Sequence, residues 1–306
     1  MASTRAQQIR FRCAITASNN EDNVQVYSQD TSGGIRESRC QNGKWTGGDE
    51  GSIVKHGILG TPIAAVCGER NNMMHVFYVA EGNLARQMHR DPRGRWQDGN
   101  LNETNVRVAP YSMMAACHVK NADKPLRLYV QLPDNSIQEF GSDDSGREWS
   151  QLANIGPALP GTGLACAVTQ GHNPSIRLFC QDENMAITER CCRDGRTWKD
   201  GNLSISKAEP RTDLTAVLCG DNEVRVYYAD RDNHIRERVA NDDNWKEGHF
   251  DQSCVPGSQV AAVSWGSRHG CNIRVYFQNG HQVTAISEWK FDGKWEQGQQ
   301  GLPPAQ

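Results

Sequence analysis

The chain repeats a set of three side chains that could bind a polar ligand. In its clearest copy, Arg225 lies in an alternating apolar segment, Glu237 follows twelve residues later, and Trp245 comes next. A guanidinium beside a carboxylate can donate to one hydroxyl group and accept from its neighbour, and an indole adds an N–H donor and an apolar face. This combination is typical of a sugar-binding site.

The pattern occurs six times. The complete copies are Arg127, Glu139 and Trp149; Arg177, Glu189 and Trp198; Arg225, Glu237 and Trp245; and Arg274, Glu288 and Trp295. Two copies are altered, with Gln25, Glu37 and Trp45 in one and His75, Gln87 and Trp96 in the other. The first members of successive copies are 48 to 52 residues apart. A period near 50 residues indicates a propeller or a solenoid.

Each copy predicts four short strands. It opens with a small, alanine-rich segment, such as residues 63–67, 113–117 or 260–264, which suits the crowded centre of a radial assembly. The arginine and glutamate segments follow, separated by Gly/Asn/Asp turns, and the tryptophan begins a fourth strand. No helical period is sustained. We therefore predict an all-β, six-bladed β-propeller with four antiparallel strands per blade, formed by residues 1–306 as one domain, with a β-solenoid as the alternative.

Composition excludes several classes of protein. The net charge of −3 argues against electrostatic binding of nucleic acid. No apolar run approaches the ~20 residues of a membrane-spanning helix, so we expect no membrane insertion. The N-terminus shows no apolar signal-peptide core, and we therefore expect a cytoplasmic protein, or one exported non-classically to the cell surface.

The eleven cysteines are predicted to be mostly structural. Four of them lie at or near the ends of the small apolar segments: Cys67, Cys117, Cys166 and Cys219. There cysteine behaves as a small buried hydrophobic residue, so we expect free thiols rather than a disulfide framework. No CxxC motif occurs and the histidines are scattered, so we expect neither a metal site nor a cofactor.

The repeated Arg/Glu pair also has a purely structural interpretation. The two residues would face each other on neighbouring antiparallel strands as an ion pair, with the tryptophan in the blade core. A surface ion pair contributes only about 0–1 kcal/mol, which is a weak reason to keep four of them. We therefore favour a binding role, in which sites arranged on a ring would give avidity.

In its motifs the chain resembles the fungal fucose-specific lectins, which are six-bladed propellers. The resemblance covers essentially the whole chain and rests on motifs at residues 160–163, 225–237, 263–266, 274–278 and 287–289. It implies that fucose lies between adjacent blades, bound by the arginine and glutamate of one blade and the tryptophan of the next. It also implies fucosylated glycans and glycoproteins as partners, and a homodimer.

Carried onto this chain, the resemblance implies four complete pockets. They are Arg127 and Glu139 with Trp198, Arg177 and Glu189 with Trp245, Arg225 and Glu237 with Trp295, and Arg274 and Glu288 with Trp45. The pocket of Gln25, Glu37 and Trp96 should be weakened, and that of His75, Gln87 and Trp149 silent. The family also places an aromatic residue three positions after the glutamate. Here only Phe291 fits, and it would cover Arg225; the other positions hold Cys40, Arg90, Ser142, Cys192 and Ala240.

Two other functions remain open. Residues 142–149 match the Asp-box of sialidases, which are also six-bladed propellers. A sialidase would need three arginines and a Tyr/Glu pair at the central axis, whereas the arginines here are distributed one per copy. No nucleophile elbow, HExxH or P-loop is present, so we expect no enzyme activity. The other alternative is a protein-binding propeller without a sugar ligand.

Overall fold

The computed structural model describes residues 9–68, 73–91, 93–169, 174–241, 243–267, 270–282 and 284–302. These residues form a six-bladed β-propeller, as the sequence predicts, and each blade is an antiparallel sheet whose strands follow chain order. Blade 1 contains β1 (Ile15–Asn20), β2 (Asn23–Gln29), β3 (Gly34–Gln41) and β4 (Lys44–Gly47), with β5 (Ile53–His56) also paired to β3. Blade 2 contains β6 (Ile63–Cys67), β7 (Met74–Ala80), β8 (Leu84–Arg90) and β9 (Trp96–Asp98).

The remaining blades repeat this plan. Blade 3 contains β10 (Met114–His118), β11 (Leu126–Gln131), β12 (Ser136–Ser142) and β13 (Ser150–Pro157). Blade 4 contains β14 (Ala165–Thr169), β15 (Ser175–Gln181), β16 (Ile187–Cys192) and β17 (Trp198–Ile205). Blade 5 contains β18 (Leu214–Cys219), β19 (Glu223–Ala229), β20 (His234–Asn241) and β21 (Asn244–Ser253), and blade 6 contains β22 (Val260–Ser267), β23 (Gly270–Gln278), β24 (Ile286–Phe291) and β25 (Trp295–Gln297).

Helix is nearly absent from the described residues. One turn, α1 (Leu101–Thr104), follows β9, and single 3₁₀ turns occur at Glu50–Ser52 and Glu81–Asn83. No helix in these parts of the chain is long and apolar enough to cross a membrane. The propeller therefore consists of strands and the turns that join them.

The first strand of each blade lines a central channel of about 100 Å³. Its walls come from small side chains such as Ala65, Ala116 and Ala262, in keeping with the crowding expected at the axis. No arginine belongs to the described channel lining. The arrangement that a sialidase would need at the axis is therefore not formed by these residues.

A buried glutamine at the end of the second strand joins neighbouring blades. Gln131 Nε2 donates to the carbonyls of Ala158 and Leu159 at 3.3 and 3.1 Å, and its Oε1 accepts from the N–H of Gly161 at 2.9 Å. The equivalent residues Gln29, Gln181 and Gln278 are also fully buried. Gln29 and Gln181 bond to the chain that follows their blade, and Gln278 bonds to the Arg10 carbonyl in the segment before blade 1. These bonds satisfy backbone groups of the interblade links, which would otherwise be buried without partners.

Two features of blade 6 differ from the sequence-based expectation. The segment predicted to end at residue 264 continues to Ser267, so β22 and β23 form a longer first hairpin than in the other blades. In addition, Cys219 at the end of β18 forms a disulfide with Cys271 on β23. The expectation of a free thiol at Cys219 is therefore wrong, because blade packing brings these two side chains together; nine other cysteines are free.

Candidate functional site

The arginine and glutamate of each complete copy meet diagonally. In blade 5, Arg225 pairs across the ladder with Val239, whereas Glu237 pairs with Tyr227. Arg225 Nη1 reaches along the sheet and donates to Glu237 Oε1 at 3.0 Å. The same register recurs in blades 3, 4 and 6. The residues therefore do not face each other directly, as the structural interpretation assumed, because a tyrosine or phenylalanine occupies the opposite position.

That tyrosine is part of the site, although the sequence analysis assigned it no role. The Tyr227 hydroxyl donates to Glu237 Oε1 at 2.7 Å. Tyr27, Tyr129 and Tyr276 make the equivalent bonds to Glu37, Glu139 and Glu288 at 2.8, 3.0 and 3.0 Å. Burial, reinforced by the adjacent carboxylate, raises the pKa of Tyr227 well above its ordinary value, so its hydroxyl stays a donor. The signal was in the motif itself, since the second residue after the arginine is always Tyr or Phe.

A glycine in the fourth strand makes room for the glutamate. A Cβ on Gly248 would lie 2.1 Å from Glu237 Oε2. Gly201 and Gly298 stand in the same relation to Glu189 and Glu288, with a Cβ 2.3 Å from Oε2 in each case. The backbone beside this glycine then bonds the carboxylate, as when His249 N–H donates to Glu237 Oε2 at 3.0 Å. The Trp-x-x-Gly spacing therefore positions the carboxylate.

Each repeated tryptophan packs against the aromatic residue of the preceding blade. The ring pairs are Tyr276–Trp45, Tyr27–Trp96, Phe77–Trp149, Tyr129–Trp198, Phe179–Trp245 and Tyr227–Trp295, with centroids 5.5 to 6.2 Å apart and nearly perpendicular planes. The structure thus brings all six predicted trios together between blades, including the one across the ring closure. Their role in binding sugar remains a prediction.

The pocket of Arg225 has free hydrogen-bonding capacity. Of the five guanidinium N–H groups, two are directed to Glu223 and one to Glu237, which leaves two. The Glu237 carboxylate accepts three bonds and retains about one acceptor position. Trp295 Nε1 is buried and has no hydrogen-bond partner among the described residues. Two donors beside one acceptor, with an indole N–H nearby, suit a pair of adjacent hydroxyls.

Phe291 lies beside this pocket, at the position where the resemblance implies an aromatic cover. Its ring lies 4.8 Å from the Arg225 guanidinium carbon and 5.2 Å from the ring of Trp295. An apolar face is thereby set beside the hydrogen-bonding groups. A sugar with one polar and one apolar edge would be complementary to this surface.

The pockets of Arg127 and Arg177 hold the same core contacts. Arg127 Nη1 is 3.3 Å from Glu139 Oε1, and Arg177 Nη1 is 3.0 Å from Glu189 Oε1. Here the indole N–H groups of Trp198 and Trp245 point at the carboxylates, at 3.4 and 3.2 Å from Oε2 of Glu139 and Glu189.

Asp243 from blade 5 enters the Arg177 pocket. It accepts from Arg177 Nη2 at 2.5 Å and also pairs with Arg193. A sugar hydroxyl at this pocket would therefore have to displace a carboxylate of the protein itself.

In the Arg274 pocket, the arginine lies farther from its glutamate than in the other three complete pockets. Arg274 Nε is 4.0 Å from Glu288 Oε1, and its Nη1 donates to the Ile273 carbonyl at 2.8 Å. The guanidinium instead lies 4.7 Å from the ring of Trp265. Trp265 belongs to the extended hairpin and packs in one apolar cluster with Cys40 and Trp45. It therefore supplies the aromatic surface that Cys40 lacks. The sequence comparison missed it, because only the position three residues after each glutamate was considered.

In the pocket of Gln25, the positive charge beside the glutamate comes from arginines at other positions. Arg90, from blade 2, donates to Glu37 Oε1 at 2.9 Å, and Arg39 donates to Oε2 at 2.7 Å. Gln25 Oε1 is buried without a hydrogen-bond partner in the described part of the chain. The carboxylate is thus bracketed by two guanidinium groups, neither of which lies at the predicted position.

The pocket of His75 is closed by the protein. Gln87 Nε2 lies 2.9 Å from His75 Nδ1, and Gln87 Oε1 accepts from Trp149 Nε1 at 3.0 Å. A Cβ on Gly146 would lie 2.4 Å from Gln87 Nε2, so the Asp-box-like turn packs directly on this pair. His75 and Gln87 are fully buried. Burial lowers the pKa of His75 to about 4, which keeps the ring neutral near pH 7.

Known proteins are similar to this chain in sequence and in fold. The fungal fucose-specific lectin family model matches residues 9–305. A fucose-specific lectin of Arthroderma benhamiae is 38% identical, with 98% of this chain and 91% of that protein covered. One of Aspergillus fumigatus is 35% identical over 100% of both chains. The SapL1 lectin, solved in complex with alpha methyl fucoside, superimposes with a TM-score of 0.88 at 36% identity, covering 98% of this chain and 99% of its own.

Proposed function

The chain belongs to the fungal fucose-specific lectin family, and on this premise we propose that it binds L-fucose on fucosylated glycans without chemical turnover. The observation that carries the proposal is the free donor and acceptor capacity at Arg225, Glu237 and Trp295 beside the Phe291 ring. Fucose offers adjacent hydroxyls on one side and a methyl group on the other, and these surfaces complement each other.

Four pockets have the groups that binding requires. They are the pockets of Arg127, Arg177, Arg225 and Arg274, each with its glutamate and the tryptophan of the next blade. We expect the Arg225 pocket to bind most tightly, because it combines unused donors with an aromatic cover. The Arg177 pocket should bind more weakly, since Asp243 competes for the guanidinium.

Several weak pockets on one ring would act together. A shallow site with a few hydrogen bonds should have a Kd of about 10 μM to 1 mM for a single sugar. A surface that presents many fucose groups should be bound ~10²-fold more tightly, because the later contacts are intramolecular. Fucosylated glycoproteins are therefore the proposed partners, and a homodimer would add further sites.

Titration calorimetry with methyl α-L-fucoside tests the proposal. We expect about four sites per chain, from the four complete trios counted in the sequence. Arg225→Ala should weaken its own pocket by roughly 10- to 150-fold, since a hydrogen bond to a charged group contributes about 1.5–3 kcal/mol. Arg127→Ala is the matched variant and should matter less, because Cys192 takes the place of the aromatic cover there.

Melting temperature separates binding from structure. If Arg225 and Glu237 only hold two strands together, Arg225→Ala should lower the melting temperature and leave binding to a fucosylated surface unchanged. That outcome would contradict the proposal. Six equal sites would instead contradict the assignment of four complete pockets, because the substitutions at Gln25, His75 and Gln87 would then be harmless. Turnover of a fluorogenic sialoside would instead favour the sialidase alternative, and a glycan array without any bound sugar would favour a protein-binding propeller.

A further inference from the structure

A cavity of about 630 Å³ adjoins the Arg225 pocket on the side of blade 6. Arg225 and Phe291 of the Arg225 pocket are among its lining residues, together with Asp221, Asn272 and Asp292. Its volume lies within the range of about 300–1,000 Å³ that is typical of small-molecule sites. We propose that this groove is a second saccharide subsite, which binds a neutral sugar joined to the fucose held by Arg225. The inference rests on the proposed function.

The groove exists because blade 6 departs from the other blades. The longer hairpin of β22 and β23 places Gly270, Cys271 and Asn272 along one side of it. The Cys219–Cys271 disulfide ties this hairpin to the end of β18, and both cysteines line the cavity. The wall is therefore covalently joined across the two blades between which the first sugar would lie.

The lining groups suit hydroxyls and amides. Asn272 offers both a donor and an acceptor, and Asp221 and Asp292 offer acceptors. Glu223 also lines the groove, but its carboxylate accepts from Arg225 at 2.7 Å and is engaged in holding the guanidinium. Asp221, Asp292 and Asn272, whose Nδ2 also donates to the Gly270 carbonyl at 3.5 Å, take no part in holding the guanidinium and can serve a second sugar rather than the first.

The charge of the groove selects against anions. Among its described lining residues, three are acidic, and Arg225, already paired with Glu223 and Glu237, is the one base. A sulfated or sialylated neighbour would bring a negative charge toward Asp221 and Asp292, which is unfavourable. A neutral hexose or N-acetylhexosamine would not.

The test uses a triple variant, Arg127→Ala, Arg177→Ala and Arg274→Ala, in which the Arg225 pocket is the one complete pocket that remains. Calorimetry would compare methyl α-L-fucoside with disaccharides in which fucose is joined to galactose or to N-acetylglucosamine. We expect at least one neutral disaccharide to bind about tenfold more tightly, as one or two additional net hydrogen bonds would give. A sulfated version of that disaccharide should lose the gain.

Adding Asn272→Ala and Asp292→Ala to this chain should abolish the gain and leave the affinity for methyl fucoside unchanged. Asp232→Ala is the matched control, because Asp232 is an exposed acid in the turn at the opposite end of blade 5. Equal affinity for methyl fucoside and every disaccharide would overturn the subsite, as would a gain that survives both substitutions. Absence of methyl fucoside binding would instead overturn the proposed function itself.

The subsite can also be tested without the triple variant, in case that variant does not fold. In the chain with all pockets present, the preference for the disaccharide should belong to the Arg225 pocket alone. Arg225→Ala should then remove the tight disaccharide class from the calorimetric isotherm while the weaker class remains. A tight class that persists in Arg225→Ala would overturn the inference.

Discussion

Arg90 Nη1 lies 2.9 Å from Glu37 Oε1, although the two residues belong to different blades. In the pockets of Arg127, Arg177 and Arg225, the same carboxylate atom accepts from the arginine of its own blade. Arg90 occupies the sequence position that Phe291 has in the Arg225 pocket, and its guanidinium lies 5.6 Å from the ring of Trp96. Arg90 thus replaces the charge of the arginine that is missing at position 25. It does so from blade 2 and lies over the indole ring of Trp96.

Restoring the geometry of this pocket should create a fifth binding site. Gln25→Arg would return the guanidinium to β2, and Arg90→Phe would replace the cation over Trp96 with an aromatic cover. We expect calorimetry with methyl α-L-fucoside to give about five sites per chain for the double variant, against about four for the parent.

Each single variant serves as a control for this prediction. Gln25→Arg alone leaves Arg90 on Glu37, and Arg90→Phe alone leaves the pocket without a guanidinium from its own strand, so neither should add a site. A fifth site in the parent chain would show that Arg90 already takes the binding role of the missing arginine.

Gly248 should be required for the Arg225 pocket even though a sugar need not touch it. A methyl group there would meet Glu237 Oε2 at 2.1 Å and Cγ at 2.5 Å. The carboxylate would have to leave Arg225 and Tyr227, and such overpacking typically costs about 1–3 kcal/mol of stability. We expect Gly248→Ala to lower the melting temperature and to remove one site in calorimetry.

Gly51→Ala is the matched substitution for Gly248→Ala. Its Cβ would meet only Asp49 Oδ1, at 3.4 Å, and its backbone is not in the left-handed region. We expect Gly51→Ala to leave the number of sites unchanged. If Gly248→Ala also kept all sites, the carboxylate would not need the position that the glycine provides.

Trp265 should contribute to the Arg274 pocket. A cation–π contact contributes about 0.5–2 kcal/mol, so Trp265→Ala should weaken methyl fucoside binding there by about 2- to 30-fold. The measurement needs a chain that retains the Arg274 pocket after Arg127→Ala, Arg177→Ala and Arg225→Ala. Trp265→Phe keeps a ring over the guanidinium and should preserve most of the affinity; equal affinity for Trp265→Ala and the parent would show that the indole is structural.

The interblade trios were predicted through the resemblance to the fungal fucose-specific lectins, because the repeat spacing alone does not show which blade supplies the tryptophan. The structure packs Trp295 on Tyr227 and Trp45 on Tyr276, the aromatic residues that pair with Glu237 and Glu288. The doubtful pockets were also identified from residue type alone, at Gln25 and His75.

The replacements were not predictable, because they depend on how far particular loops reach. Trp265 becomes available since the hairpin of blade 6 extends three residues beyond the predicted end at residue 264. Gly146 seals the His75 pocket through the path of one turn. Cys219 and Cys271 are 52 residues apart, and eleven cysteines allow too many pairings to select theirs from the sequence.

Asp213 should make the propeller less stable as the pH rises. It lines the central channel and accepts from the N–H of Val260 at 2.9 Å. Burial raises the pKa of Asp213 from 3.8 to about 7, although backbone N–H groups act in the opposite direction. The ionised form is therefore disfavoured in the folded state, and the cost grows as the pH rises from the unfolded pKa near 4 to the folded pKa near 7.

Asp213→Asn should remove this cost, because the amide oxygen can accept the same backbone bond without a charge. Between pH 5 and pH 8 the stability of the variant relative to the parent should increase by up to about 3 kcal/mol, since each pKa unit corresponds to 1.36 kcal/mol. Urea unfolding of both chains at the two pH values measures the difference, in which the effects of His75 and other shared groups cancel. Asp232→Asn, at an exposed turn, is the control substitution. A stability difference between Asp213→Asn and the parent that stays constant from pH 5 to pH 8 would mean that Asp213 is already ionised in the folded channel at pH 5.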